Sequence, residues 1–393
     1  VRTLYALASR FAGSGIGRTA SHAALGLWRA RHLSELICLG HETTDISPSI
    51  IRDVSIFPRR ALFFLSDKPY YEMKNRWFDR QCKKRLTGDF DTFHCWNSQA
   101  SGSLALAKKL GVKSVVDRAS SHIRTQTELL LEQYANHSID YHPTYQHVIQ
   151  RCEADYDHAD LIVTPSPFSY QSFVDVGFDM GKVVFNPFGV DLARFTPQEN
   201  PPDVFQAIFV GQVGIRKGVL NLLKAWDRLK IKKGKLVLVG SEEPVAQSAL
   251  APYRNRPDIE FVGPSDQVPK LMAQSSIFVF PSCEEGSALV TYEALACGLP
   301  VVATVNSGSV VEDGKSGMLV ELGDIEGLAQ KIDTLYRNPE QIREMGIAAR
   351  RLAEQYPWEA YGDRTARLHE GLHRGDSVEK IHKAMGVIAP AVK

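Results

Sequence analysis

Along this chain, apolar residues gather in short runs of β-branched and aromatic types, and helical spacing fills the stretches between them. The runs at 3–9, Leu33–Cys38, 91–96, 114–118, 161–166, 207–212, 235–239, 259–263, 277–280 and 301–303 show no strict alternation. That is the pattern of strands buried on both faces, as in parallel sheets covered by helices. Helices are expected from about Thr19 to Trp28, over 144–160, after Ser166, after Lys217, from Leu289 to Ala296, over 324–354 and from Trp358. Pro197, Pro201 and Pro202 break the composition near the middle and mark a linker. The pattern predicts an α/β protein with domains at 1–195 and 203–357, a C-terminal helix over 358–375 and a tail over 376–393.

The chain turns on residues 277–303. Ile277, Phe278, Val279 and Phe280 read as a strand that Pro281 and Ser282 end. A loop with Glu284, Glu285, Gly286 and Ser287 follows, then a helical stretch that stops at Gly298-Leu299-Pro300. Strand, loop, helix and strand make half of a doubly wound sheet, whose ligands sit at the carboxyl ends of the strands. The N–H groups that open the helix, at the positive end of its dipole, suit a phosphate. Glu285 in the loop and Glu293 about one turn into the helix can flank that seat and accept hydrogen bonds from sugar hydroxyls.

The spacing Glu285 to Glu293 resembles the E-x7-E signature of retaining GT-B glycosyltransferases of family 4. The frame around it is similar too: Pro281-Ser282 before, and Glu293-Ala294-Leu295-Ala296-Cys297-Gly298-Leu299-Pro300-Val301-Val302 after. One departure is Ala288, where the family often has glycine, which is expected to limit close backbone approach. Asn186-Pro187-Phe188-Gly189-Val190-Asp191 resembles the family's sequence at the end of the first domain, and Lys217-Gly218 its diphosphate-binding lysine. The family's arginine five residues earlier is Gln212 here, so Arg216 is the neighbouring cation expected to replace it.

The resemblance implies a GT-B fold: two Rossmann-like doubly wound domains facing a central cleft, with the helix from Trp358 crossing back to the first domain. It implies a nucleotide-sugar donor held by Arg216, Lys217, Val262, Gly286, Ser287, Ala288, Leu289 and Glu293. Lys217 and Glu285 would carry the catalytic roles. No metal and no cofactor are expected. The likeness is close over about 160–370 and extends to layout alone in the first 150 residues, where the unknown acceptor would be read.

In the first domain, Phe11-Ala12-Gly13-Ser14-Gly15-Ile16-Gly17-Arg18 invites a dinucleotide reading, but Arg18 stands where the third glycine belongs. In GT-B enzymes this turn lies near the donor diphosphate and acceptor, a role expected of Gly15 and Gly17; an ordinary tight turn is the alternative. Many relatives carry a histidine at the end of the strand that 114–118 matches, near the anomeric centre. Arg118 and His122 fall close to that place, as catalytic candidates or as structural hydrogen-bonders. The triplets Asp89-Phe90-Asp91 and Asp155-Tyr156-Asp157 lack the strand-end context of a metal site and are set aside.

Residues 59–86 mix basic with aromatic side chains, among them Lys74, Trp77, Lys83, Lys84 and Arg85. Such a stretch fits either peripheral contact with an anionic membrane face or a solvated helix face. With 46 Lys and Arg against 45 Asp and Glu, the 393-residue chain carries a net charge of +1, so no nucleic-acid partner is expected. No apolar run is long enough to span a bilayer. Val1–Leu7 reads as a first strand rather than a signal peptide. The six cysteines are scattered, as free buried thiols of a cytoplasmic protein would be, with the inner face of a membrane as the alternative site. Other readings stay open: a silent sugar-nucleotide binder, another GT-B activity such as an epimerase or phosphorylase, or an oxidoreductase.

Overall fold

The computed structural model describes residues 1–55, 67–139, 144–198, 204–229 and 231–391. They form two compact units. The first comprises Val1–Arg124, Thr144–Phe188 and Trp358–Lys393, and the second Thr125–Pro143 and Gly189–Pro357.

In chain order the elements are β1 (Thr3–Leu7), α1 (Ile16–Arg29), β2 (Leu33–Cys38), β3 (Ile51–Asp53), α2 (Asp67–Arg85), β4 (Thr92–Trp96), α3 (Ser101–Leu110) and β5 (Lys113–Asp117). Next come α4 (Ile123–Asn136), α5 (Gln146–His158), β6 (Leu161–Thr164), α6 (Pro167–Asp175) and β7 (Val183–Phe185). From Thr125 onward α4 belongs to the second unit. The first unit's strands make one parallel sheet in the order β3-β2-β1-β4-β5-β6-β7. Every residue of β1 and β4 is buried, which explains why these runs are apolar without alternation.

The second unit holds β8 (Phe205–Val210), α7 (Val219–Arg228), β9 (Gly234–Val239), α8 (Gln247–Leu250), β10 (Ile259–Gly263) and α9 (Val268–Ala273). It continues with β11 (Ile277–Phe280), α10 (Leu289–Ala296), β12 (Val301–Thr304), β13 (Gly317–Val320), α11 (Ile325–Arg337) and α12 (Pro339–Ala353). Its sheet is parallel, in the order β10-β9-β8-β11-β12-β13. The single helix expected over 324–354 is two, broken at Asn338. Pro339 opens α12, because its missing N–H costs nothing in a first helical turn.

Two further helices, α13 (Trp358–Arg374) and α14 (Val378–Met385), return to the first unit. The stretch expected to be tail thus contains a helix, capped by Ser377 and closed by left-handed Gly386. α13 crosses α1 where a Cβ on Gly26 would fall 2.1 Å from the Gly362 carbonyl oxygen, so any side chain there forces the helices apart. Beside this crossing His22 stacks on Trp358 with ring centres 4.3 Å apart.

A buried polar chain fastens α13 to the sheet. Thr3 Oγ1 lies 3.1 Å from His369 Nδ1, His369 Nε2 lies 2.9 Å from His94 Nδ1, and His94 Nε2 lies 2.9 Å from Asp117 Oδ2. One proton on each ring satisfies the chain: Thr3 donates to His369, His369 to His94, and His94 to Asp117. Burial, reinforced by His94, pushes the His369 imidazole well below its ordinary value. Buried polar groups cost stability unless paired, and here each has a partner.

That depression fixes the sign of a pH effect. The unfolded chain takes up a proton near 6.5 and native His369 does not, so its stabilisation is complete above that pH and is lost as pH falls. The free energy of unfolding in urea should therefore fall between about pH 7.5 and 5.5, by about 1.4 kcal/mol for each pH unit below 6.5. His369→Gln should flatten that slope; equal slopes in the two proteins would contradict the assignment.

Candidate active site

The order of the second sheet reverses between β8 and β11, and crevices form where the loops from such neighbours diverge. The residues after β8 and after β11 are those the sequence singles out. Gly218 is the closest approach. It has φ +70°, and a Cβ there would fall 1.8 Å from the Pro281 carbonyl oxygen. The backbone after β8 thus rests directly on the backbone after β11, which requires glycine beside Lys217. Cys283 N–H donates to the Arg216 carbonyl at 2.8 Å, and Ser282 Oγ to the same oxygen at 3.1 Å.

On this seam two ion pairs lie side by side. Arg216 Nη2 donates to Glu284 Oε2 at 2.9 Å, and Lys217 Nζ to Glu285 Oε1. Ser282 Oγ supports Glu285 Oε1 at 3.0 Å, and the Lys217 ammonium stands 5.7 Å from the centre of the Phe280 ring. Burial opposes ionisation of Glu285, but Lys217 and Arg216 outweigh it and hold the carboxyl below its ordinary value. Burial likewise opposes the charge on Arg216, and Glu285 with Glu284 lifts its guanidinium above the ordinary value. Gln212 is exposed.

The acidic loop is pinned from behind. Glu285 N–H donates to Asn306 O at 2.9 Å, Ala288 N–H to Ser307 O at 3.1 Å, and Ser287 Oγ to Gly308 O at 2.9 Å. Ala288 adopts φ −75°, which any residue takes, so the alanine is unstrained there. Its N–H is committed to Ser307, which leaves Leu289 N–H and Val290 N–H without partners among the described residues. Of the N–H groups expected to face an anion, that of Ala288 is therefore taken and that of Leu289 remains available. Gly286 is buried, Glu293 is half-buried in the second turn of α10, and Val262 is half-buried in the edge strand β10.

Sequence reasoning named Glu284 in the loop without giving it a role, and it missed Glu243, Gln126 and Tyr134. Gln126 and Tyr134 belong to α4, far away in sequence and without a motif. Gln126 Nε2 donates to Glu284 Oε2 at 3.0 Å, and Tyr134 donates to Glu243 Oε1.

In the first unit the candidates also sit at carboxyl strand ends. Gly15, at φ +57°, is the turn before α1. The helix starts at Ile16 rather than Thr19, so Gly17 lies inside its first turn, where a Cβ would fall 2.2 Å from the Arg10 carbonyl oxygen. Arg118, just past β5, donates through Nε to Ser121 O at 2.8 Å and through Nη1 to Asn97 Oδ1 at 3.2 Å. Asn97 in turn donates to Asp155 Oδ2 at 3.1 Å. Burial lifts the Asp155 carboxyl to about 6, against hydrogen bonds from Ser98 and Asn97. Asp155 is thus a structural carboxylate inside α5.

His122 lies in the interior of the first unit. It is 4% exposed and enclosed by Tyr156, Phe173 and Phe178, with ring centres 5.1, 5.0 and 6.5 Å away. Its Nδ1 accepts from Arg124 N–H at 3.3 Å. Burial, with Arg118 nearby, pushes the imidazole down to about 4, so the ring is neutral near pH 7.

Of the basic stretch 59–86, residues 59–66 lie outside the described residues. In α2 much of the charge is spent on the protein itself: Lys74 Nζ donates to Ala8 O at 3.1 Å, Lys83 pairs with Asp79 at 3.0 Å and Arg85 with Glu35 at 2.6 Å. Tyr71 and Trp77 stay 53% and 38% exposed. Among the described residues no helix is long and apolar enough to cross a membrane. All six cysteines are buried and free.

Comparison with known proteins adds the following. The family model described as Glycosyltransferase Family 4 matches residues 13–194, and the one described as Glycosyl transferases group 1 matches 205–338. The chain is 26% identical, over 73% of its length and 79% of the relative's, to a GDP-mannose-dependent alpha-(1-6)-phosphatidylinositol monomannoside mannosyltransferase of Mycolicibacterium smegmatis. It spans about half the length of several other curated relatives it matches. In fold it is similar to sucrose-phosphate synthase from Thermosynechococcus elongatus (TM-score 0.73, 19% identity, 96% of this chain and 100% of that one). It is also similar to an Anabaena protein solved in complex with UDP-glucose (TM-score 0.65, 15% identity, 94% and 99%).

The Gly218 contact yields a graded prediction. Gly218→Ala meets both a left-handed φ and a backbone oxygen and should cost about 2–4 kcal/mol in urea unfolding. Gly323→Ala shares the left-handed φ, at +82°, but meets open space. It should cost about 1–2 kcal/mol. Equal costs would mean that the approach to Pro281 is not tight.

Proposed function

We propose that this chain, which belongs to the GT-B glycosyltransferases of group 1 and family 4, moves a sugar from a nucleotide-sugar donor to an acceptor hydroxyl. The observation that carries the reading is the paired seam of Lys217 with Glu285 and Arg216 with Glu284 at the point where the second sheet reverses. A neighbour of the same fold binds UDP-glucose and a relative depends on GDP-mannose, which supports a nucleotide sugar and leaves its base to experiment.

In this reading the bond between the anomeric carbon and the diphosphate breaks as the bond to the acceptor oxygen forms on the same face. The acceptor's proton passes to the departing phosphate oxygen, so the configuration is retained and no metal takes part. Negative charge grows on the diphosphate, and stabilising that charge is the main catalytic requirement. Lys217 supplies it by exchanging its carboxylate partner for phosphate; Arg216 and the N–H groups of Leu289 and Val290 add to it. The freed Glu285 carboxylate turns to the sugar hydroxyls, with Gly286 and Ser287 shaping the loop. Glu293 takes the ribose and Val262 lies by the base. Gly15 and Gly17 lie by the donor diphosphate and the acceptor, and Arg118 is a catalytic candidate near the anomeric centre. A lipid-borne acceptor, approached through exposed Tyr71 and Trp77 of α2, is the membrane form of this reading.

A panel of UDP, GDP and ADP sugars in thermal shift identifies the donor, since a ligand of the native state raises the melting temperature. With that donor, Lys217→Ala should lower turnover by about 100-fold or more, with the fold intact by circular dichroism. Glu285→Gln should lower it in the same direction. Binding without turnover across many acceptors would favour a silent sugar-nucleotide binder, and conversion of the donor without acceptor would favour an epimerase. An unchanged rate in Lys217→Ala would end the assignment.

A further inference from the structure

Arg216 is held in an unusual way. Its guanidinium is gripped on one side: Nε donates to the Glu284 carbonyl oxygen at 3.3 Å and Nη2 to Glu284 Oε2 at 2.9 Å. Nη1 has no hydrogen-bond partner among the described residues, and the side chain is 34% exposed. Such a grip leaves a free fork edge for an anion. Glu284 is 0% exposed, and a carboxylate so buried requires partners for its charge. Arg216 supplies one, and Gln126 Nε2, reaching the same Oε2 at 3.0 Å, supplies another.

A second tie leads from the same helix to the same loop. Tyr134, about 12 Å further along α4, donates to Glu243 Oε1, and Glu243 Oε2 accepts Ile215 N–H at 2.8 Å. Ile215 immediately precedes Arg216. Glycine at 214 makes room for this carboxylate, since a Cβ there would fall 2.2 Å from Glu243 Oε2. α4 thus holds the Arg216 side chain through Glu284 and the Arg216 backbone through Glu243.

We propose that Gln126 and Glu284 are positioning residues that aim the Arg216 guanidinium at the donor diphosphate, with α4 as the element that sets the aim. The inference rests on the glycosyltransferase reading above. It accounts for Gln212: with no charge at that position, a second cation must be oriented from elsewhere. Because Glu284 offsets most of the Arg216 charge, the value of Arg216 to a diphosphate lies in where its free edge points. Charge alone and aim therefore predict opposite responses to loss of the grip.

The test is a double-mutant cycle on nucleoside diphosphate affinity, measured by calorimetry with UDP, GDP and ADP as probes. Gln126→Met keeps the length of the side chain and removes the donor. It should weaken binding of the preferred diphosphate by about 3- to 10-fold, the size of one hydrogen bond. In an Arg216→Met background the same change should have no effect, because there is nothing left to aim. Tyr134→Phe tests the other tie and should weaken binding in the same Arg216-dependent way, which keeps the inference falsifiable if Gln126→Met folds poorly. Tighter or unchanged binding in Gln126→Met or Tyr134→Phe, or an equal loss with and without Arg216, would overturn it. If the unaltered protein binds none of the three, the glycosyltransferase reading and this inference fall together. If it binds and the cycle is additive, only the inference falls.

Discussion

The candidate site depends on one close approach, that of the backbone at Gly218 to the carbonyl of Pro281. It joins the segments leaving β8 and β11, the two strands between which the sheet order turns around. With the backbones in contact, consecutive residues on one segment face consecutive residues on the other. Arg216 meets Glu284, and Lys217 meets Glu285. Neither pair is a surface ion pair of the kind that contributes little. Each places a cation against a carboxylate withdrawn from water, where the field of one charge on another is strong.

The two pairs differ in what they can do. Glu284 is sealed from solvent and held from two directions, so its pairing with Arg216 is fixed. Glu285 keeps some exposure and its partner is a lysine, whose single ammonium turns more readily than a guanidinium fork. In the proposed reading a diphosphate takes Lys217 from Glu285, and the carboxylate so released must find sugar hydroxyls in exchange, since a buried charge left without partners is costly. The first unit is organised for rigidity instead. The chain from Thr3 through His369 and His94 to Asp117, and the glycine crossing of α1 with α13, tie the returning C-terminal helix to the sheet that begins the molecule.

Much of this was legible in the sequence because it is local. Strand ends, the glycine after Lys217 and the spacing from Glu285 to Glu293 all lie within short windows, and a family resemblance attaches to those windows. What stayed hidden depends on distant residues. Gln126 and Glu284 are 158 positions apart, and Gln126 sits in no motif. His122 stayed open in the sequence, as catalytic candidate or structural hydrogen-bonder, because the rings of Tyr156, Phe173 and Phe178 that enclose it come from other elements. That Ala288 is unstrained, at φ −75°, is likewise invisible to composition. The break at Asn338 was read through because proline inside a periodic stretch marks a helix start as readily as a kink.

The account comes down to whether Lys217 changes partners. The most direct measurement is a crystal structure of this protein with its preferred nucleoside diphosphate bound. The account predicts the Lys217 ammonium on a phosphate oxygen, Glu285 turned away from it, and Glu284 still gripping Arg216. A diphosphate bound elsewhere, with Lys217 still paired to Glu285, would contradict it.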